Sequence, residues 1–179
     1  LNQFKLDRII FIPSGVPPHK EEVEKASSEH RYLMTVIAAA SNEKFFVSRI
    51  EIDSKEVSYT LDTLRKLKKI YGEKTSFFFI TGADAILEIL TWKEPHEITK
   101  LCSFIAATRP GYDLSELNDL KKKLFVNNKE ADKKIFIIDI PALSISSTDI
   151  RQRIKQDRPI DYLLPEGVAS YILKHGLYK

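Results

Sequence analysis

Ser76-Phe77-Phe78-Phe79-Ile80-Thr81-Gly82-Ala83-Asp84 is an apolar run that ends in a glycine turn and a fresh helix start. A run without polar alternation suits a strand covered on both faces, as in a parallel sheet. The spacing predicts that strand over 76–80 and a helix over 84–90. The same grammar recurs on both sides. Arg8-Ile9-Ile10-Phe11-Ile12 is a second unbroken run, stopped by Pro13. Strands are also predicted over 45–52, 102–107 and 133–140. Amphipathic stretches separate them. Residues 29–41 place Tyr32, Leu33, Val36, Ile37 and Ala40 at helical spacing, and 58–71 place Leu61, Leu64, Leu67 and Ile70 on one stripe before Gly72. Shorter helices are predicted over 95–100 and 114–124. After Ile140 strand signals cease, and helices follow over 147–156 and from Pro165 to the stop at Gly176. Strands alternating with helices argue for an α/β fold with a mainly parallel sheet. The expected organisation is one domain over 1–179, with 141–179 a C-terminal helical part of it.

Composition narrows the function classes. The chain has 179 residues, 43% hydrophobic and 30% charged, which is ordinary globular composition rather than that of a disordered chain. With 6 Gly and 8 Pro it is not collagen-like, and a single cysteine, Cys102, excludes a disulfide scaffold and any multi-cysteine zinc cluster. A net charge of +3 is too weak a footprint for duplex nucleic acid, yet suits a small anionic ligand. The Lys121-Lys122-Lys123 run reads as the solvated face of a helix. No apolar run is long enough to span a bilayer, and the first residues are neither a signal nor a transit peptide. Together with the lone cysteine this predicts a cytoplasmic protein with no membrane partner. The chain does not open with Met, so it is expected to begin inside a larger polypeptide.

In open parallel α/β sheets ligands bind beyond the carboxyl ends of the strands, so the polar content of those ends is where chemistry is sought. The first strand runs into Pro13-Ser14-Gly15-Val16-Pro17-Pro18-His19-Lys20, which is either a plain surface loop or a lid presenting Lys20 to phosphates. Gly82 permits close backbone approach to a ligand. Asp84 either caps free helix N–H groups or accepts hydrogen bonds from a ribose diol. Trp92, the sole tryptophan, is either core or a stacking platform. Arg109 is either an anion contact or a surface ion-pair residue.

The strongest local signal is Ser144-Ile145-Ser146-Ser147-Thr148-Asp149-Ile150-Arg151. Hydroxyls at a helix N-terminus, with Arg151 three or four residues further on the same face, suit a polyphosphate. Capping requires fewer hydroxyls than are present. Ser58-Tyr59-Thr60 opens another helix in the same style; capping alone explains one of its hydroxyls, and the others suit a carboxylate or amide on a second substrate. There is no Walker phosphate loop and no Gly-x-Gly-x-x-Gly, which disfavours a P-loop kinase and a standard dehydrogenase.

The ordered set from Pro13 to Lys20, Ser58-Tyr59-Thr60, Gly82-Ala83-Asp84, Trp92, Arg109-Pro110-Gly111 and Ile145 to Arg151 resembles the bacterial nicotinate mononucleotide adenylyltransferases, as do Asp161-Tyr162-Leu163-Leu164-Pro165 and Gly176-Leu177-Tyr178. Each piece is weak; the order is specific, and it covers essentially the whole chain. The resemblance implies a Rossmann-like nucleotidyltransferase fold. It implies transfer of AMP from ATP to nicotinate mononucleotide, with Mg, giving deamido-NAD and pyrophosphate. Under it Ser146, Ser147, Thr148 and Arg151 hold the ATP phosphates, helped by Lys20 and His19, with Lys20 and Arg151 in catalytic roles. Gly82 and Asp84 contact the adenosine ribose. Trp92 stacks on the pyridine ring, Ser58, Tyr59 and Thr60 read its carboxylate, and Arg109 joins the mononucleotide site. No protein ligand for a metal is assigned. Two alternatives stand beside this reading: a nucleotide-binding regulatory module without catalysis, and an adenylyltransferase acting on pantetheine phosphate. Oligomeric state is left open, a homo-oligomer included.

The family opens with a strand, a Gly-rich turn and a His-x-Gly-His motif whose histidines bind the transferring phosphates. The resemblance therefore predicts such a segment, roughly 20–25 residues on typical element lengths, just upstream of Leu1. Activity is assigned to the parent protein, and the 179 residues expressed alone are expected to be inactive and poorly soluble, because the family's first strand lies mid-sheet. Sequencing upstream, and assaying the 179-residue polypeptide, check this. An upstream sequence lacking the motif would shift the reading to the regulatory module.

Overall fold

A computed structural model describes residues 1–16, 26–54, 56–108, 113, 115–125, 128–141, 143 and 145–179, with the backbone alone for 128–130. These form two compact units, Leu1–Ser58 with Ser144–Lys179, and Tyr59–Leu143. Both are built from parallel strands flanked by helices, the α/β class that the sequence pattern predicts. Among the described residues no helix is long and apolar enough to cross a membrane.

In the first unit β1 (Ile9–Phe11) pairs in parallel with β2 (Phe45–Val47), Ile9 opposite Phe45 and Phe11 opposite Val47. The Phe11 and Phe45 rings meet edge to face, 5.2 Å between centroids. The strand predicted over 45–52 stops at Val47. Ser48 supplies the reason: its hydroxyl accepts the Ile50 N–H at 3.2 Å, a local bond that competes with a continued ladder. Helix α1 (Ser28–Ala39) starts on Ser27, whose side chain accepts the His30 N–H. Helices α7 (Ser147–Lys155) and α8 (Glu166–Lys174), with Ile160 between them, bring Ile154, Ile160, Val168, Ala169 and Ile172 into a core cluster against Met34 and Ile37 of α1. Nothing larger than Gly167 fits there without adjustment, since a Cβ would meet Ile37 at 2.9 Å.

The second unit carries a three-stranded parallel sheet in the order β3 (Phe78–Gly82), β4 (Ser103–Thr108), β5 (Ile135–Asp139). Central β4 buries Phe104, Ile105 and Ala106, as an unbroken apolar run on a covered strand should. Edge strand β3 starts two residues later than its sequence suggests, and Ile80 is 46% exposed. Helices α2 (Thr60–Tyr71), α3 (Ala83–Leu87), α4 (Pro95–Leu101), α5 (Ser115–Leu124) and α6 (Asn128–Lys134) complete this unit. A 3-10 turn over Glu88–Thr91 ends the helix expected to run to residue 90. No sequence signal had indicated α6.

The stripe expected on α2 is only partly buried. Leu61, Leu64 and Leu67 are buried, whereas Ile70 is 65% exposed. At 3.6 residues per turn, three successive steps of three residues rotate the helix face by about 180°. Ile70 therefore emerges opposite Leu61.

Gly15 is required by close approach. Val16 bridges Val57, and the Ser58 N–H donates to the Val16 carbonyl at 2.9 Å. A Cβ on Gly15 would lie 2.1 Å from the Glu51 carbonyl oxygen, a backbone atom that cannot simply rotate away. Gly15→Ala should therefore destabilise the full-length protein by about 1–3 kcal/mol, the usual cost of overpacking. Urea unfolding checks this; an unchanged midpoint would show that 15 and 51 do not touch in solution.

Candidate functional site

Parallel pairing brings the carboxyl ends of β3, β4 and β5 to one edge of the second unit. There β3 passes directly into α3. Gly82 is the N-cap, with ordinary extended φ of −71°, and the space a side chain would fill holds nothing within 4 Å. Glycine here leaves the strand end open; no special backbone angle requires it. Asp84 lies inside the first turn of α3 and is exposed. It is not the cap, and its carboxylate has no partner among the described residues, so the capping alternative falls. At the next strand ends Thr108 donates to Asp139 Oδ1 at 2.5 Å.

The start of α2 differs from expectation in the same way. Its N-cap is Tyr59, which makes no side-chain cap bond. The Ser58 and Thr60 hydroxyls, expected to include one cap, do not serve as one. Ser58 Oγ is buried and lacks a hydrogen-bond partner among the described residues. A buried hydroxyl left unmatched costs about 1–3 kcal/mol, so such a group calls for a reason beyond stability.

Trp92 follows the 3-10 turn in an extended conformation and is half-buried. Its ring meets Phe79 of β3 edge to face, centroids 5.6 Å apart. Such a contact occupies at most one indole face. Trp92 is thus anchored on the sheet and partly open, which joins features of the core and platform readings.

In the first unit the α7 start places the predicted hydroxyls. Ser146 is the N-cap, and its Oγ accepts the Asp149 N–H at 3.1 Å. Arg151 Nη2 donates to Thr148 Oγ1 at 3.2 Å, so the guanidinium folds back over the first turn. Ser147 is exposed, with no hydroxyl partner among the described residues. The one acid of this turn, Asp149, accepts from Arg153 Nε at 2.8 Å, which offsets its charge. The turn thus presents free N–H groups, hydroxyls and a cation, a constellation that receives an anionic oxygen. Burial pushes the nearby Tyr178 phenol up, opposed by the charges of Arg151 and Arg31.

Arg31 is an organising residue that the sequence does not advertise. Its guanidinium donates to Ser14 Oγ at 3.1 Å and to the Gly15 carbonyl at 3.2 Å, while its Nε donates to the Ala26 carbonyl at 3.3 Å. One side chain on α1 holds both flanks of residues 17–25. A lone Arg on a helix gives no local signal of such a role.

His19 and Lys20, with Pro17 and Pro18, lie outside the described residues, as does Arg109 with Pro110 and Gly111. Among the described residues no group of three or more His, Cys, Asp or Glu gathers to hold a metal ion. Burial pushes the Cys102 thiol up to about 12, so it remains an inert core thiol at neutral pH.

Comparison with known proteins identifies the family. A profile of the cytidylyltransferase-like family matches residues 1–153. A probable nicotinate-nucleotide adenylyltransferase of Thermoanaerobacter sp. (strain X514) is 51% identical over 178 residues, which is 99% of this chain and 83% of that protein. Another, from Moorella thermoacetica, is 50% identical over 177 residues, 99% of this chain and 80% of that protein. The structure of Plasmodium falciparum nicotinic acid mononucleotide adenylyltransferase complexed with APC superposes with a TM-score of 0.70. That match covers 97% of this chain and 83% of that one at 23% identity, and it speaks to the fold alone.

Proposed function

The chain belongs to the cytidylyltransferase-like family and, within it, to the nicotinate-nucleotide adenylyltransferases, and from that premise we propose the reaction and the residues that serve it. The reaction is adenylyl transfer from ATP to nicotinate mononucleotide in NAD biosynthesis, releasing pyrophosphate and leaving deamido-NAD. The mononucleotide phosphate attacks the α-phosphorus in line with the departing pyrophosphate. Such a step needs alignment and charge neutralisation rather than a covalent enzyme intermediate.

The observation that carries the ATP assignment is the first turn of α7. Ser146, Ser147 and Thr148 offer hydroxyls and free N–H groups to the phosphates, and Arg151, already folded over that turn, offers its cation. Gly82 leaves room at a strand end for the adenosine ribose, and the unpartnered Asp84 carboxylate accepts from its diol. Trp92 offers an indole face to the pyridine ring, and Ser58, Tyr59 and Thr60 receive its carboxylate. His19, Lys20 and Arg109 keep the phosphate-side and mononucleotide-side roles that resemblance gives them. Mg²⁺ would be held chiefly by the ATP phosphate oxygens and water, which suits an ion that dehydrates reluctantly. The compartment implied is the cytoplasm, where ATP and the mononucleotide are found together.

Two measurements test this reading. The full-length protein should prefer nicotinate mononucleotide over the nicotinamide form by up to about thirty-fold, because a carboxylate at a helix start gains up to about 2 kcal/mol and an amide does not. Equal or reversed preference in steady-state kinetics would reject the substrate. Arg151→Ala should raise the KM for ATP and lower kcat, together about 10- to 100-fold in kcat/KM, the worth of one charge-assisted hydrogen bond. Unchanged kinetics with a lower melting temperature would make Arg151 structural.

A further inference from the structure

Trp92 is followed at once by two charged residues that reach back to α2. Lys93 Nζ donates to Asp62 Oδ2 at 2.9 Å and stands 4.7 Å over the Tyr59 ring. Glu94 lies 3.7 Å from Arg65, which is itself 3.8 Å from Asp62. Glu94 takes a left-handed conformation, φ 49° and ψ 62°, as the N-cap of α4. A non-glycine residue in that region is strained and persists only where its surroundings hold it.

Asp62 stands in the first turn of α2. A carboxylate there is favourable to the helix but repels any anion at the same helix start. Lys93 cancels that repulsion. Its ammonium is charged at neutral pH in any case, and the bond to Asp62 raises its affinity for its proton further. Arg65 is a weaker counter-ion for Asp62, since its contact is longer and shared with Glu94.

We infer that Lys93 is a specificity-determining residue for the mononucleotide: by neutralising Asp62 it keeps the start of α2 receptive to a carboxylate, and by bridging to α2 it fixes the backbone that carries Trp92. The inference rests on the reading that the α2 start receives the pyridine carboxylate. Lys93 acts through Asp62 and the neighbouring indole, and so it is a positioning residue. Its pair is surface-exposed, and pairs of that kind contribute little to stability. The consequence of breaking it therefore appears in substrate choice before it appears in folding.

The test is the ratio of kcat/KM for nicotinate over nicotinamide mononucleotide, measured on the full-length protein with melting temperature alongside. Lys93→Met should lower the ratio about five- to ten-fold and leave the KM for ATP within about two-fold. Adding Asp62→Asn to Lys93→Met should restore the ratio, because the repelling charge is gone. Lys93→Arg should retain it, since that cation can still meet Asp62. Trp92→Ala should depress both mononucleotides in parallel and leave their ratio nearly unchanged. A ratio unmoved by Lys93→Met, or a fall that Asp62→Asn does not reverse, overturns the inference. A wild-type protein with no nicotinate preference overturns the function reading itself, and the inference with it.

Discussion

A parallel strand pair cannot be joined by a tight turn. The chain must cross back, usually through a helix, before the next strand starts in the same direction. Each strand of the β3–β4–β5 sheet therefore ends on the same edge, and each crossover leaves from that edge. This constraint arranges the second unit: Gly82, Thr108 and Asp139 arrive at neighbouring strand ends, and α3 leaves immediately from Gly82. The covered central strand supplies the stability that lets this rim remain polar and partly unsatisfied.

Helix starts supply the second ingredient. The first turn of any α-helix carries N–H groups without internal partners. Where a side chain caps them, little remains for a ligand. The described helix starts differ in this respect. Ser27 caps α1, whereas α2 and α3 begin on Tyr59 and Gly82 without a side-chain cap. In α7 Ser146 takes one N–H and leaves others, with Arg151 turned toward them. Free donors thus occur where phosphate and carboxylate recognition is proposed, though not only there, since α4 and α8 also start without a side-chain cap.

Charge is managed locally rather than through net charge, which is small. Two first-turn acids are paired, Asp149 with Arg153 and Asp62 with Lys93, whereas Asp84 has no partner among the described residues. Each pairing leaves the helix with its favourable acid while muting the field that would meet an approaching anion. Arg31 shows the same economy in a neutral setting, one fork of donors fixing two stretches of backbone.

The sequence by itself determined the α/β alternation, the parallel strands, most helix positions and the hydroxyl-rich turn that ends in Arg151. These are legible because they depend on local patterns: unbroken apolar runs for covered strands, a period of 3.6 for helices, and i to i+3 for the Arg151–Thr148 contact. The family likeness was legible too, since it is a matter of residue order. The tertiary structure decided the rest. Ile70 drifts out of its stripe, and Ile80 faces outward on an edge strand. Asp84 has no partner among the described residues because Gly82, not Asp84, occupies the cap position. Lys93 meets Asp62 across 31 positions and Arg31 meets Ser14 across 17, separations at which no local pattern carries information. Such pairs exist only because the chain returns to the same place, and where it returns is set by packing rather than by neighbouring residues.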